Sequence, residues 1–79
     1  MPPPASRDPA LGAAIRRLRL ERSLTQEALA FASGVAFGTL AALERGRSVP
    51  TWTTVRAVAR ALDVSMTELG GAIDAEEAA

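Results

Sequence analysis

Residues 24–46 read LTQEALAFASGVAFGTLAALERG. Thr25 is a good helix N-cap, because its hydroxyl can accept from a free backbone N–H of the first turn. Leu24 before it and Leu29 within the helix are spaced as a hydrophobic staple. The pattern predicts a short helix from Gln26 to Ser33, stopped at Gly34, since glycine accepts the left-handed conformation that a tight turn needs. A third helix is predicted from Phe37 to Arg45, ending at Gly46. Two short helices joined by such a turn leave the second with one face packed inward and one face to present. The residues on that presented face are mostly apolar.

On the N-terminal side, Asp8-Pro9 reads as a helix start, with Asp8 as N-cap and Pro9 at the first helical position, where its missing N–H costs nothing. Leu11, Ala14, Ile15 and Leu18 then recur at i, i+3, i+4 and i+7, the stripe of an amphipathic helix running to about Arg22. Arg16, Arg17 and Arg22 fall off the stripe and should be solvated. Leu20 lies nearly opposite it, either a lone exposed leucine or a contact point. The proline-rich residues 1–8 read as a disordered arm up to the Asp8 cap.

On the C-terminal side, Ser48-Val49-Pro50 is a loop and Thr51 caps a fourth helix from Trp52 to Leu62. Its expected stripe is Trp52, Val55, Val58, Ala59 and Leu62, which puts Trp52 in the core. Ser65-Met66-Thr67-Glu68 has the capping-box pattern. It opens a short fifth helix expected to end near Leu69, because Gly70-Gly71 follow. The domain is thus expected to span 9–70, with 71–79 an acidic flexible tail. No segment alternates as a strand does, so the chain reads as all-α with five helices and short connections.

The 79 residues contain no histidine and no cysteine. That removes the commonest general base, the commonest metal ligand and any disulfide. None of the serines can pair with a histidine, Glu76-Glu77 lie in the tail, and no phosphate-binding glycine loop occurs. The reading is therefore not an enzyme, with no metal and no cofactor. No apolar run approaches the ~20 residues of a membrane span, and the N-terminus lacks the apolar core of a signal peptide. A soluble cytoplasmic protein, without a membrane partner, is expected. The net charge is zero but uneven: residues 1–69 carry nine arginines against six carboxylates, and residues 70–79 hold only Asp74, Glu76 and Glu77. A mildly basic body is compatible with a phosphate-binding face and equally with ordinary solvated arginines.

IRRLRLERSLTQEALA, Gly34, LERG at 43–46, Pro50 and VARALDVSMTEL stand at the spacing of one family. Over residues 11–69, about three quarters of the chain, the sequence resembles the Cro/XRE-type helix-turn-helix family, the lambda-repressor-like DNA-binding domains of bacteria. The packing logic agrees. Two helices crossing steeply through a short turn need a small residue where they touch, which is Ala30, and a turn glycine, which is Gly34. The second must bury Leu40 and Leu43, three apart on one face. The resemblance implies a recognition helix over 37–45 entering the major groove of double-stranded DNA at the nucleoid, as in a transcriptional repressor. It implies DNA-facing residues Ala36, Phe37, Gly38, Thr39, Ala41, Ala42 and Arg45, with Gln26 on a phosphate and Arg45, Arg47, Ser48 and Thr51 on the other flank of backbone. It also implies a structural pair between Glu44 and Arg19.

Members of the family usually carry Ser, Arg, Gln, Thr or Asn on the groove face, side chains that read base edges by hydrogen bonds. Here Ala36, Phe37, Gly38, Ala41 and Ala42 can do neither, and only Thr39 and Arg45 keep polar reach. Three readings fit. The helix enters the groove and reads thymine methyls and DNA shape. Or the face is a protein-interaction surface, to which Phe31 on the preceding helix would add. Or both rings fold into a small core and the face is merely alanine-rich, as GC-rich coding would make it. A weak homodimer is expected through 64–73, by way of Val64, Met66, Leu69 and Ile73.

Overall fold

The structure is a computed structural model that describes residues 8–79. The arm expected at 1–8 lies, apart from Asp8, outside the described residues. Five helices follow in order: α1 (Pro9–Glu21), α2 (Gln26–Ser33), α3 (Phe37–Glu44), α4 (Trp52–Ala61) and α5 (Met66–Ala78). Among the described residues there is no strand.

The caps form as expected. The Asp8 carboxylate accepts from the Leu11 N–H at 3.0 Å, the Thr25 hydroxyl from Ala28 N–H at 3.0 Å, and the Thr51 hydroxyl from Thr54 N–H at 3.1 Å. Ser65 and Glu68 close a reciprocal capping box. Each such bond satisfies a donor that a helix start leaves over and contributes about 1 kcal/mol. Gly34 and Gly46 end α2 and α3 with φ of 71° and 70°. At Gly46 a side chain would also come within 3.0 Å of the Pro9 backbone. Ser23 and Asp63 adopt the same left-handed conformation after α1 and α4 without glycine's freedom.

The core gathers Leu11, Ile15 and Leu18 of α1, Leu29 and Ala30 of α2, Leu40 and Leu43 of α3, Val55, Val58 and Ala59 of α4, and Leu62 and Leu69. Leu24 packs against it, as the staple requires.

Three expectations are corrected. Trp52 is not in the core: its side chain stands 64% exposed. Val55, Val58, Ala59 and Leu62 already complete an i, i+3, i+4, i+7 stripe, and Trp52, the first residue of α4, lies beyond it. The fifth helix does not stop near Leu69 but runs through Gly70-Gly71 to Ala78, so the boundary expected at residue 70 falls inside a helix. Two glycines cost a helix about 1 kcal/mol each relative to alanine. Packing offsets this: α5 lies along α1 more extensively than any other helices meet, Ala72 and Ile73 rest on the core, and Glu76 accepts from Arg17 at 3.3 Å. Leu69 is fully buried in the domain's own core. It is therefore lost to the dimer patch expected at 64–73, where Val64, Met66 and Ile73 remain half-buried.

Candidate nucleic-acid interface

The chain turns through 118° between α2 and α3, and Ala30 is buried as the close contact of the pair requires. Leu40 and Leu43 seat the inner face of α3 in the core. One buried polar node fixes the helix further. Arg19 Nε donates to Glu44 Oε2 at 2.7 Å and Arg19 Nη2 to Glu44 Oε1 at 2.9 Å, a two-bonded fork between α1 and α3. Arg19 Nη1 donates to the Leu24 carbonyl at 2.8 Å, and Gln26 Nε2 donates to Glu44 Oε1 at 3.1 Å. The first three helices therefore meet at one carboxylate.

The hydrogen bond from Arg19 to Glu44 is the largest influence and raises the guanidinium pKa above its already high ordinary value; burial opposes it, and the attraction of the Glu44 charge adds to it. A raised basic pKa contributes stability that is complete below the ordinary arginine range and is lost only as pH rises through the folded value, in strong alkali. Arg19 keeps its charge across all ordinary pH.

Gly12 completes the seat of α3. A side chain there would collide with the Leu43 carbonyl oxygen and stand 2.8 Å from that of Glu44. No feature of the sequence by itself marks Gly12, since its role lies in a backbone-to-backbone approach made only in the fold. The bond from Gln26 to Glu44 was equally unforeseen.

On the outer side, Ala36, Phe37, Gly38, Thr39 and Arg45 are exposed and Ala42 is half-buried. Ala41 is buried, at 7% exposure, and leaves the expected reading face. Neither aromatic ring folds into the core, since Phe31 is 91% and Phe37 49% exposed. Together they line a shallow, largely apolar concavity with Glu27, Ala30, Gly34, Val35 and Ala36. Ala36 is the N-cap of α3 and offers no side-chain acceptor to the first turn.

The flanks are less free than expected. Arg47 is exposed beside Arg45. The Ser48 hydroxyl is buried and has no hydrogen-bond partner among the described residues, so it does not face outward with the arginines. Thr51 is exposed, but its hydroxyl is engaged twice with Thr54, accepting from the N–H and donating to Oγ1 at 3.0 Å. Gln26 is half-buried and drawn to Glu44. Among the described residues no three carboxylates gather to hold a metal ion.

The family model described as helix-turn-helix matches residues 15–69. The uncharacterised HTH-type transcriptional regulator y4dJ of Sinorhizobium fredii is 46% identical over 59 residues, which is 75% of this chain and 77% of that protein. The clp gene regulator ClgR of Corynebacterium glutamicum superposes with a TM-score of 0.85 at 35% identity, covering 90% of this chain and 76% of that one. The restriction-modification controller protein C.Esp1396I, solved as a tetramer in complex with its natural 35-base-pair operator, superposes with a TM-score of 0.81 at 25% identity, covering 86% of this chain and 90% of that one.

Proposed function

The chain belongs to the helix-turn-helix family of transcriptional regulators, and on that premise we propose that it binds double-stranded DNA sequence-specifically and acts as a repressor, with α3 in the major groove. One observation carries the reading. Phe37, Gly38 and Thr39 of α3 are exposed, while Leu40, Leu43 and Glu44 behind them are held by the core and the Arg19–Glu44 node. A rigid helix with a free outer face suits a groove about 12 Å wide. Ala36, Phe37, Gly38, Thr39 and Ala42 meet base edges, and Arg45 and Arg47 hold phosphates. Gln26 serves chiefly to brace Glu44 and touches phosphate with what its amide has left. Thr51 offers its remaining acceptor capacity and the α4 N-terminus. Ser48 joins only if its loop shifts on binding.

The solved C.Esp1396I complex supports an assembly of several copies on DNA. For this chain we propose a weak homodimer through Val64, Met66 and Ile73, its two α3 helices about one DNA turn, ~34 Å, apart. It acts on nucleoid DNA in the bacterial cytoplasm. The exposed rings of Phe31 and Phe37 favour one other reading, a protein-binding face, because contiguous exposed apolar surface usually marks an interaction site.

Binding-site selection from a random duplex pool, followed by gel shift at rising salt, separates the two. The DNA reading expects one enriched sequence, with log affinity falling linearly against log salt. A pool that stays random, with weak binding lost in moderate salt, would leave the protein-binding face as the better account.

A further inference from the structure

Phe37 opens α3 with a half-exposed ring, and exposed Ala36 and Gly38 flank it. None of these three side chains donates or accepts a hydrogen bond. Thr39 lies about 200° round the helix from Phe37, and Arg45 about 12 Å further along its axis. The amide nitrogen of Gln26 is bonded to Glu44 at 3.1 Å. The surface around Phe37 is thus apolar and has no hydrogen-bonding side chain of its own turn directed to the same base.

The major-groove edge of a pyrimidine offers two features. Thymine shows O4 and a methyl group on C5; cytosine shows an N4 amine and no methyl. Methylation of cytosine at C5 adds the methyl and leaves the amine. A ring such as Phe37 gains by covering the methyl, whichever base bears it. It has nothing with which to tell O4 from N4.

We propose that the α3 surface centred on Phe37 recognises the 5-methyl group of a pyrimidine and ignores its C4 substituent, so that thymine and 5-methylcytosine are accepted alike while uracil and cytosine are disfavoured alike. The protein is then a reader of cytosine methylation as well as of sequence: methylating one cytosine in a near-match site raises its occupancy. This rests on the DNA-binding reading above. Glu27 of α2 lines the same concavity as Phe37 and carries the nearby carboxylate able to accept from N4, so the agreement of the two methylated duplexes must also hold in Glu27→Gln.

The test uses the full chain and the duplex obtained by selection. At each thymine of the half-site, binding is measured for four duplexes: thymine or uracil opposite adenine, and 5-methylcytosine or cytosine opposite guanine. Within each pair only the methyl changes. At one position the methyl is expected to tighten binding about fourfold in both pairs, the ratio for one buried methyl-sized group. The two methylated duplexes should agree within about twofold. Phe37→Ala should remove both methyl effects while the thermal unfolding midpoint stays in place, since the ring lies outside the core.

Uracil matching thymine at every position overturns the proposal and leaves DNA binding intact. So does a methyl effect present opposite adenine but absent opposite guanine, or one that survives Phe37→Ala. A 5-methylcytosine site bound about tenfold more tightly than the thymine site also overturns it, because the C4 group is then being read. A selection that enriches nothing overturns this proposal and the DNA-binding reading together.

Discussion

The two faces of α3 belong to the same eight residues and answer to different constraints. Inside, Leu40, Ala41, Leu43 and Glu44 are buried, Glu44 holds Arg19 and Gln26, and the helix backbone rests on Gly12. Outside, Phe37, Gly38 and Thr39 are exposed, and a side chain added at Gly38 would meet nothing within 4 Å. The inner face decides where the helix points. The outer face is free to change without disturbing the fold, which is where a family can vary what it reads while keeping how it stands.

The sharpest break is expected at the node. Removing one partner of a buried ion pair costs about 3–5 kcal/mol. A domain of this size has only roughly 0.05–0.15 kcal/mol per residue in all. Glu44→Ala should therefore be largely unfolded, or melt tens of degrees lower by circular dichroism. Replacing both partners, Arg19→Met with Glu44→Leu, should recover much of the loss. A Glu44→Ala variant as stable as the parent would mean that the fork does not hold α3.

The two helix glycines on either side of the comparison should respond with opposite signs. Gly12→Ala forces a methyl into carbonyl oxygens of α3 and should destabilise by about 1–3 kcal/mol. Gly38→Ala fills open space and should stabilise by up to about 1 kcal/mol. Urea unfolding of the two variants gives both signs, and equal signs would dissolve the distinction between the faces.

Smaller effects are expected from residues that touch little. Phe31→Ser and Trp52→Ala should change stability by no more than about 0.5 kcal/mol. The single tryptophan should emit as a water-exposed indole and be readily quenched by iodide. Blue-shifted, protected emission would return Trp52 to the core. Ser48→Ala removes a buried hydroxyl with no partner and should be neutral or slightly stabilising, because the desolvation cost of an unsatisfied group is about 1–3 kcal/mol.

The scaffold was legible in the sequence wherever local chemistry and tertiary packing agree. Thr25, Gly34, Thr51, Ser65 with Glu68, and the stripe of α1 each act through neighbours a few residues away, and each appears where its pattern placed it. The Arg19–Glu44 tie came by family resemblance, since its partners lie far apart in the chain. The misreadings have a common physical cause. Gly70-Gly71 is a stop signal by propensity, overruled by the packing of α5 on α1. Trp52 has the right period but sits one turn too early to reach the core. Ala41 is small enough to be covered on a face expected to be open, and Leu69, offered to a partner copy, is consumed within the domain. Gly12 and the Gln26–Glu44 bond depend on contacts that no local pattern encodes. Of the reading face, the sequence conveys its apolar character, and the exposure of Phe31 and Phe37 shows that this character is presented rather than buried.

The central claim is that the outer face of α3 lies in the DNA groove. Its most direct test is the affinity of Thr39→Glu for the selected duplex, measured beside its unfolding midpoint. Thr39 is exposed in the first turn of α3, where an acidic residue is neutral or favourable for the helix. The expected result is an unchanged midpoint with affinity reduced by about tenfold or more, as a carboxylate meets the phosphates and acceptor-lined groove. Full affinity in a fully folded Thr39→Glu would place the DNA elsewhere and contradict the account.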